Sequence, residues 1–123
     1  MKSGGEKAIA EILKKYNIKF EYEYPLLIKE TKENDTEKLR IWYPDFWLPK
    51  YSIVIEFFGL NTSDYLKGKE AKIKAYKKLN IDCIPVYPRT VEGKLKDYLL
   101  INIKKLINEK VRHFENRNKN NNK

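Results

Sequence analysis

The stretch YPDFWLPKYSIVIEFFG, residues 43–59, constrains this chain more than any other. Residues 53–58 hold five apolar side chains out of six, a length and composition suited to a strand buried on both faces. Glu56 is the exception. An ionised carboxylate in such a strand costs on the order of several kcal/mol unless it is paired or binds a metal. Asp45 opens the preceding extended run, Phe46-Trp47-Leu48, which turns at Pro49-Lys50. The two acids are therefore expected on neighbouring strands.

With 123 residues, 41% of them hydrophobic, the chain can bury one core, so a single domain over residues 1–115 is expected. Residues 116–123 (NRNKNNNK) are polar and of low complexity, and are expected to be a disordered tail. Twenty-six Lys and Arg against 17 Asp and Glu give a net charge of +9. Such a balance favours a polyanionic partner, nucleic acid above all, although a lysine-rich or thermophilic surface would carry the same charge. Cys83 and His113 are the lone cysteine and histidine, which excludes disulfide frameworks, thiolate clusters and histidine-based metal sites. No leader-like or transmembrane-length apolar run is visible, so no membrane role is expected and the compartment is intracellular. The Lys-, Ile- and Asn-rich composition suits a thermophile, a mobile element or a virus, and a cytoplasmic location is expected, in the host's cytoplasm if the source is viral.

Ile9, Ile12, Leu13 and Tyr16 mark an amphipathic helix over residues 5–16, capped by Ser3 or Gly4 and ended by Asn17. Glu6 lies at the margin of its apolar stripe, carried towards the core, and a first-turn acid favoured by the helix dipole explains it equally well. Glu11 points away. Phe20, Tyr22 and Tyr24 alternate with Glu21 and Glu23 in a strand over 18–28 that ends or bends at Pro25. Residues 29–38 (KETKENDTEK) read as a hairpin loop. A second strand over 39–48 is bent by Pro44 just before Asp45. Residues 52–58 form a third, central strand.

Residues 61–64 (NTSD) cap a helix reaching Leu79, with Leu66, Ile73, Tyr76 and Leu79 inward. Lys69 and Lys72 fall inside that stripe, whereas Lys67, Lys74, Lys77 and Lys78 point away. A fourth strand over 82–87 precedes Pro88. A last helix over 94–110 buries Leu95, Leu99, Ile103, Leu106 and Ile107. The order is αβββαβα, an α/β fold with a mixed central sheet flanked by helices.

Carboxylates on adjacent strands can hold Mg²⁺, which keeps several waters and is completed by a substrate phosphate. Such an ion acidifies a bound water and offsets charge building on the phosphate, and a lysine nearby can orient that water or stabilise the transition state. Spacing alone does not separate this reading from structural acid–lysine pairs.

GEKAIAEIL, PDFWLPKYSIVIEFFG and DYLKGKEAKIKAYKKLNIDCIPVYP together resemble the PD-(D/E)xK nuclease superfamily, its very-short-patch-repair-like branch most of all, over about residues 3–90. The resemblance implies a restriction-endonuclease-like αβββαβ core. It implies a Mg²⁺-dependent DNA endonuclease, with Mn²⁺ as a substitute and no small-molecule cofactor. Pro44-Asp45 matches the family's PD and Glu56 its second acid, which makes Asp45 and Glu56 the metal ligands, with the Phe57 carbonyl as a further candidate. Glu6 matches the acid of the family's first helix. The family's lysine stands two residues after the second acid, and here that residue is Phe58. The lysine is then expected on the following helix. Tyr65, Lys72, Ile73 and Tyr76 match a nuclease-like pattern that favours Lys72, while helical geometry leaves Lys69 equally placed. If the lysine is lost instead, a catalytically inactive, basic nucleic-acid-binding protein of the same fold is implied.

DNA is the implied partner, and a homodimer would let both strands be cut. Lys29, Lys32, Lys38 and Arg40 around the hairpin could contact phosphates, as could Arg89 with Lys94 and Lys96. Trp42, Tyr43 and Trp47 could stack on unpaired bases or pack in the core. No recognition motif specifies a substrate.

Overall fold

The computed structural model describes residues 3–31, 33–59 and 63–121, and beyond residue 117 the backbone alone. Its elements run α1 (Gly4–Lys15), β1 (Glu21–Tyr22), β2 (Leu26–Thr31), β3 (Glu37–Trp42), β4 (Phe46–Leu48), β5 (Ile53–Phe57), α2 (Ser63–Lys78), β6 (Asp82–Val86), α3 (Pro88–Glu92) and α4 (Leu95–Asn121). The fold is α/β, with a mixed sheet, helices and a long C-terminal helix. The sheet order is β1-β4-β5-β6, antiparallel except for the parallel β5–β6 pair. β5 is interior, as its apolar run requires.

Period-two alternation along β5 divides the interior. Ile53 and Ile55 join Ile9, Leu13, Phe46, Leu99 and Ile103 in a cluster with α1 and α4. Val54 packs with Ile28 and Tyr76 in a second cluster, bordered by Trp42, Trp47 and Cys83. Glu56, two residues after Val54, therefore emerges on the α2 side of the sheet. It is only 4% exposed.

Each of the two strands expected over 18–28 and 39–48 is broken by its proline. β1 and β4 belong to the main sheet, and β2 and β3 form a separate two-stranded sheet. The pairing register survives the break. Tyr22 faces Phe46, and Leu26, four residues further on, faces Trp42, four residues back. One long ribbon has thus been bent at Pro25 and Pro44, where neither residue can donate to a ladder. Glu23 takes a positive φ of 52° in the bend and its N–H donates to the Asp45 carbonyl at 3.2 Å. The bend ends just before Asp45 and sets that residue at the mouth of the main sheet.

Three boundaries differ from the sequence expectation. Residues 29–31 and 37–38 are strand, not loop, held by cross-strand ion pairs between Lys29 and Glu37 at 2.9 Å and Arg40 and Glu30 at 2.6 Å. Pro88 starts the short helix α3, because a proline at the first helical position lacks only an N–H that would be unpaired anyway. α4 continues past residue 110 to Asn121, through most of the tail expected to be disordered. Residues 111–121 contain no glycine or proline to stop a helix. The Asn61 and Thr62 part of the expected α2 cap lies outside the described residues. Among the described residues, no helix is long and apolar enough to cross a membrane.

α1 opens as its sequence requires. Ser3 caps it, its Oγ accepting from the Glu6 N–H at 3.1 Å. Gly5 permits a close approach to the sheet, since a Cβ there would lie 2.6 Å from a ring carbon of Phe57. Gly5→Ala should push α1 off the sheet and destabilise the protein by about 1–3 kcal/mol, read as a lower midpoint in urea unfolding.

Candidate active site

Four elements deliver charged groups to the end of β5. Asp45 comes from the bend before β4, Glu56 from β5, Lys72 from α2 and Glu6 from the first turn of α1. Asp45 and Glu56 are linked through the backbone. The Asp45 N–H donates to Glu56 Oε1 at 3.2 Å, and the Phe57 N–H donates to Asp45 Oδ2 at 2.7 Å. Lys72 Nζ donates to Glu56 Oε2 at 2.7 Å, and the Tyr76 hydroxyl donates to Oε1 at 3.4 Å. Glu56 is thus clamped at both oxygens, which offsets its burial.

The two lysines that helical geometry could not rank part company here. Lys72 reaches the acid pair. Lys69, one turn earlier, hydrogen-bonds the Tyr87 hydroxyl and lies 4.2 Å from the Tyr87 ring centroid and 5.5 Å from that of Phe58. Phe58, on the Glu56 side of β5, is buried against Tyr65 and Tyr87. Where the resemblance places a lysine there is an aromatic ring, and α2 supplies the cations. Both lysines line a cavity of about 490 Å³ with Asp45, Glu56, Phe57 and Tyr65.

Burial pushes the Asp45 carboxyl up to about 6, and the charges of Glu56 and Glu6 add to this against the opposing Phe57 N–H and Lys72. The Tyr65 hydroxyl is pushed up by burial and by Asp45. Tyr76 moves the same way through burial and Glu56, so it stays a neutral donor. The Cys83 thiol, pushed up to about 12 chiefly by burial, is an unreactive wall residue. Glu6 is buried at 8% exposure and accepts from the Tyr22 hydroxyl, so it is more than a solvated first-turn acid.

Among the described residues no group of three or more His, Cys, Asp or Glu side chains is placed to hold a metal ion. The donor set nevertheless fits Mg²⁺, which takes one or two carboxylates and keeps its waters. Asp45 and Glu56 are hard oxygen donors, and both line the cavity that Lys72 also lines. Phe57 lines the same cavity, which leaves its carbonyl a candidate third oxygen.

Of the expected phosphate contacts, Lys29 and Arg40 are engaged in the ribbon's ion pairs, Lys38 is exposed on β3, and Lys32 lies outside the described residues. Arg89 lies 5.5 Å from the centroid of the Tyr87 ring, which Lys69 also approaches. Sequence reasoning missed Asp64, which lines the cavity, and Tyr22, which anchors Glu6. Asp64, Gly68 and Lys72 fall at successive four-residue steps of one helix, a spacing that identifies Asp64 as a neighbour of Lys72's face. Comparisons with protein-family models, curated proteins and solved structures each return no match.

Proposed function

We propose that this chain is a divalent-metal-dependent DNA endonuclease with a restriction-endonuclease-like core. The observation that carries the reading is the convergence of Asp45, Glu56 and Lys72 on one cavity, with the Asp45 carboxyl raised to about 6 by burial and by its acidic neighbours. The fold supports it. With the outer half of the bent ribbon set aside, the order α1, β1, β4, β5, α2, β6 is αβββαβ.

Asp45 and Glu56 would hold Mg²⁺ or Mn²⁺, with the Phe57 carbonyl as a further ligand. When bound, the ion supplies charge to offset the phosphate and acidity to a water. The chain's own groups do the rest. Hydrogen bonds from the Asp45 N–H and the Tyr76 hydroxyl fix the Glu56 carboxylate before substrate arrives. Lys72 presents its ammonium beside that carboxylate, where it can orient a water or offset phosphate charge. Glu6, held by Tyr22, adds the negative field that strengthens Asp45's preference for a cation. Phe58 and Tyr65 line the cavity beside the acids. The +9 net charge steers a polyanion towards it.

Lys72→Ala should lower kcat by about 10²–10³-fold, the loss typical of a preorganised electrostatic group. Lys69→Ala should lower it by less than about tenfold, since Lys69 is engaged with Tyr87. Single-turnover cleavage by the two variants separates them, and equal losses would reassign the lysine's role.

Phe58 favours one second reading, an inactive nucleic-acid-binding protein of the same fold. Supercoiled plasmid, single-stranded and branched DNA incubated with Mg²⁺, Mn²⁺ or EDTA decide between them. Metal-dependent cutting that EDTA abolishes supports the endonuclease. Salt-sensitive binding with no cutting of any substrate would replace it with the binding protein.

A further inference from the structure

A second cavity, of about 750 Å³, opens between the β2–β3 ribbon and α2. Gly68 and Lys72 line both it and the acid-lined cavity, so the two meet along one helix. A third cavity, of about 430 Å³, shares Lys69 and Phe58 with the acid-lined one and is also lined by Tyr87 and Arg89. The acid-lined cavity thus shares walls with each of the other two and stands between them.

The chemistry at the two ends is alike. The ribbon end offers Lys74 and Lys78 with Trp42 and Tyr43, and the other end offers Lys69 and Arg89 with Tyr87. Trp42 packs edge-on against Tyr76, whereas Tyr43 is 59% exposed. Cations beside aromatic rings are what a single polynucleotide strand uses, the cations on its phosphates and the rings under its bases. Glu30 lines the ribbon end too, but its carboxylate is held by Arg40 at 2.6 Å.

Gly68 gives the track its opening. A glycine inside a helix is unfavourable by about 1 kcal/mol relative to alanine. Nothing lies within 4 Å of where its Cβ would stand, so packing does not demand it. It leaves the passage between two cavities clear.

From the shared walls we infer that a single strand of nucleic acid lies along α2, from the ribbon groove, past Gly68 and the acid pair, to the Tyr87–Arg89 end. This rests on the endonuclease reading for what happens at the acids, but not for the binding itself. From Lys78 to Leu66 the helix rises about 18 Å, at about 1.5 Å per residue. That is room for at most about five nucleotides, the number a stacked strand would place there at about 3.4 Å each, and for fewer when the bases are unstacked. Rings beside cations at both ends suit unpaired bases, so the inferred substrate class is a single strand, a flap or an unpaired branch.

The test is fluorescence anisotropy with the full chain in EDTA at fixed salt, using a labelled 15-nucleotide DNA strand, its duplex and the RNA strand of the same sequence. The single strand should bind at least about tenfold more tightly than the duplex, and Tyr43→Ala and Gly68→Leu should each weaken it by about tenfold. Leucine is a good helix former, so Gly68→Leu should unfold at the same temperature or higher. The RNA arm tells which sugar the track prefers, and tight binding of either strand supports it. Duplex bound as tightly as single strand, or single-strand affinity unchanged in both variants, would overturn the track. If no metal yields cleavage while the single-strand preference and its loss in Gly68→Leu persist, the endonuclease reading falls and the track stands.

Discussion

Glu56→Gln should reduce metal-dependent cleavage by at least about 10³-fold while leaving the protein folded. The substitution keeps the shape and an accepting oxygen, so the Asp45 N–H and the Tyr76 hydroxyl retain a partner. What it removes is the charge. Lys72, about a third exposed at 30% against 5% for Glu56, can turn its ammonium to solvent when the pair is broken. The stability loss is therefore expected at about 1–2 kcal/mol rather than the larger cost of stranding a fully buried ion. Thermal unfolding beside single-turnover cleavage measures both. A variant that cuts at the wild-type rate would remove Glu56 from the chemistry.

Asp45→Asn should make the metal-free protein more stable at pH 8 and inactive at every pH. The folded carboxyl titrates at about 6, above its ordinary value of 3.8. The folded state therefore binds more protons than the unfolded chain between about pH 4 and 6. The stability Asp45 contributes is present below pH 4, is lost as pH rises through about 6, and stays lost above. Asparagine removes that loss and can still accept from the Phe57 N–H. Solvent access to Asp45 screens the effect to about 1 kcal/mol, a rise of about 4 °C in Tm for a chain this size. The difference from wild type should fade below pH 4. Mn²⁺ should raise the wild-type Tm at pH 8 and leave that of Asp45→Asn unchanged.

Much of the site is legible because burial and charge conflict openly in the sequence. Glu56 interrupts an apolar run, and Pro44 marks a bend whose next residue is an acid. Lys69 and Lys72 could not be ranked from α2 alone, because they lie within one turn of each other and only β5 and Tyr87 tell them apart. The tips of the ribbon's strands, residues 29–31 and 37–38, resemble loop in the sequence because their side chains are polar or charged. Ion pairs such as Arg40 with Glu30 cross the ribbon there, and residues 29–38 hold no apolar residue to mark a strand period. α4's extension was hidden in the same way, since polar composition resembles disorder when no residue breaks the helix. Tyr22 and Glu6 meet only once α1 has docked on the sheet, a contact no local pattern announces.

The account turns on the acids being gathered to hold a divalent cation. Calorimetric titration of Mn²⁺ into wild-type and Asp45→Asn protein at pH 6, in two buffers of different ionisation enthalpy, tests that directly. One site per chain is expected in the wild type, with release of a fraction of a proton as Asp45, whose carboxyl is raised, ionises, and no site in the variant. A wild-type chain that takes up no Mn²⁺, or a variant that binds it equally well, would contradict the metal centre.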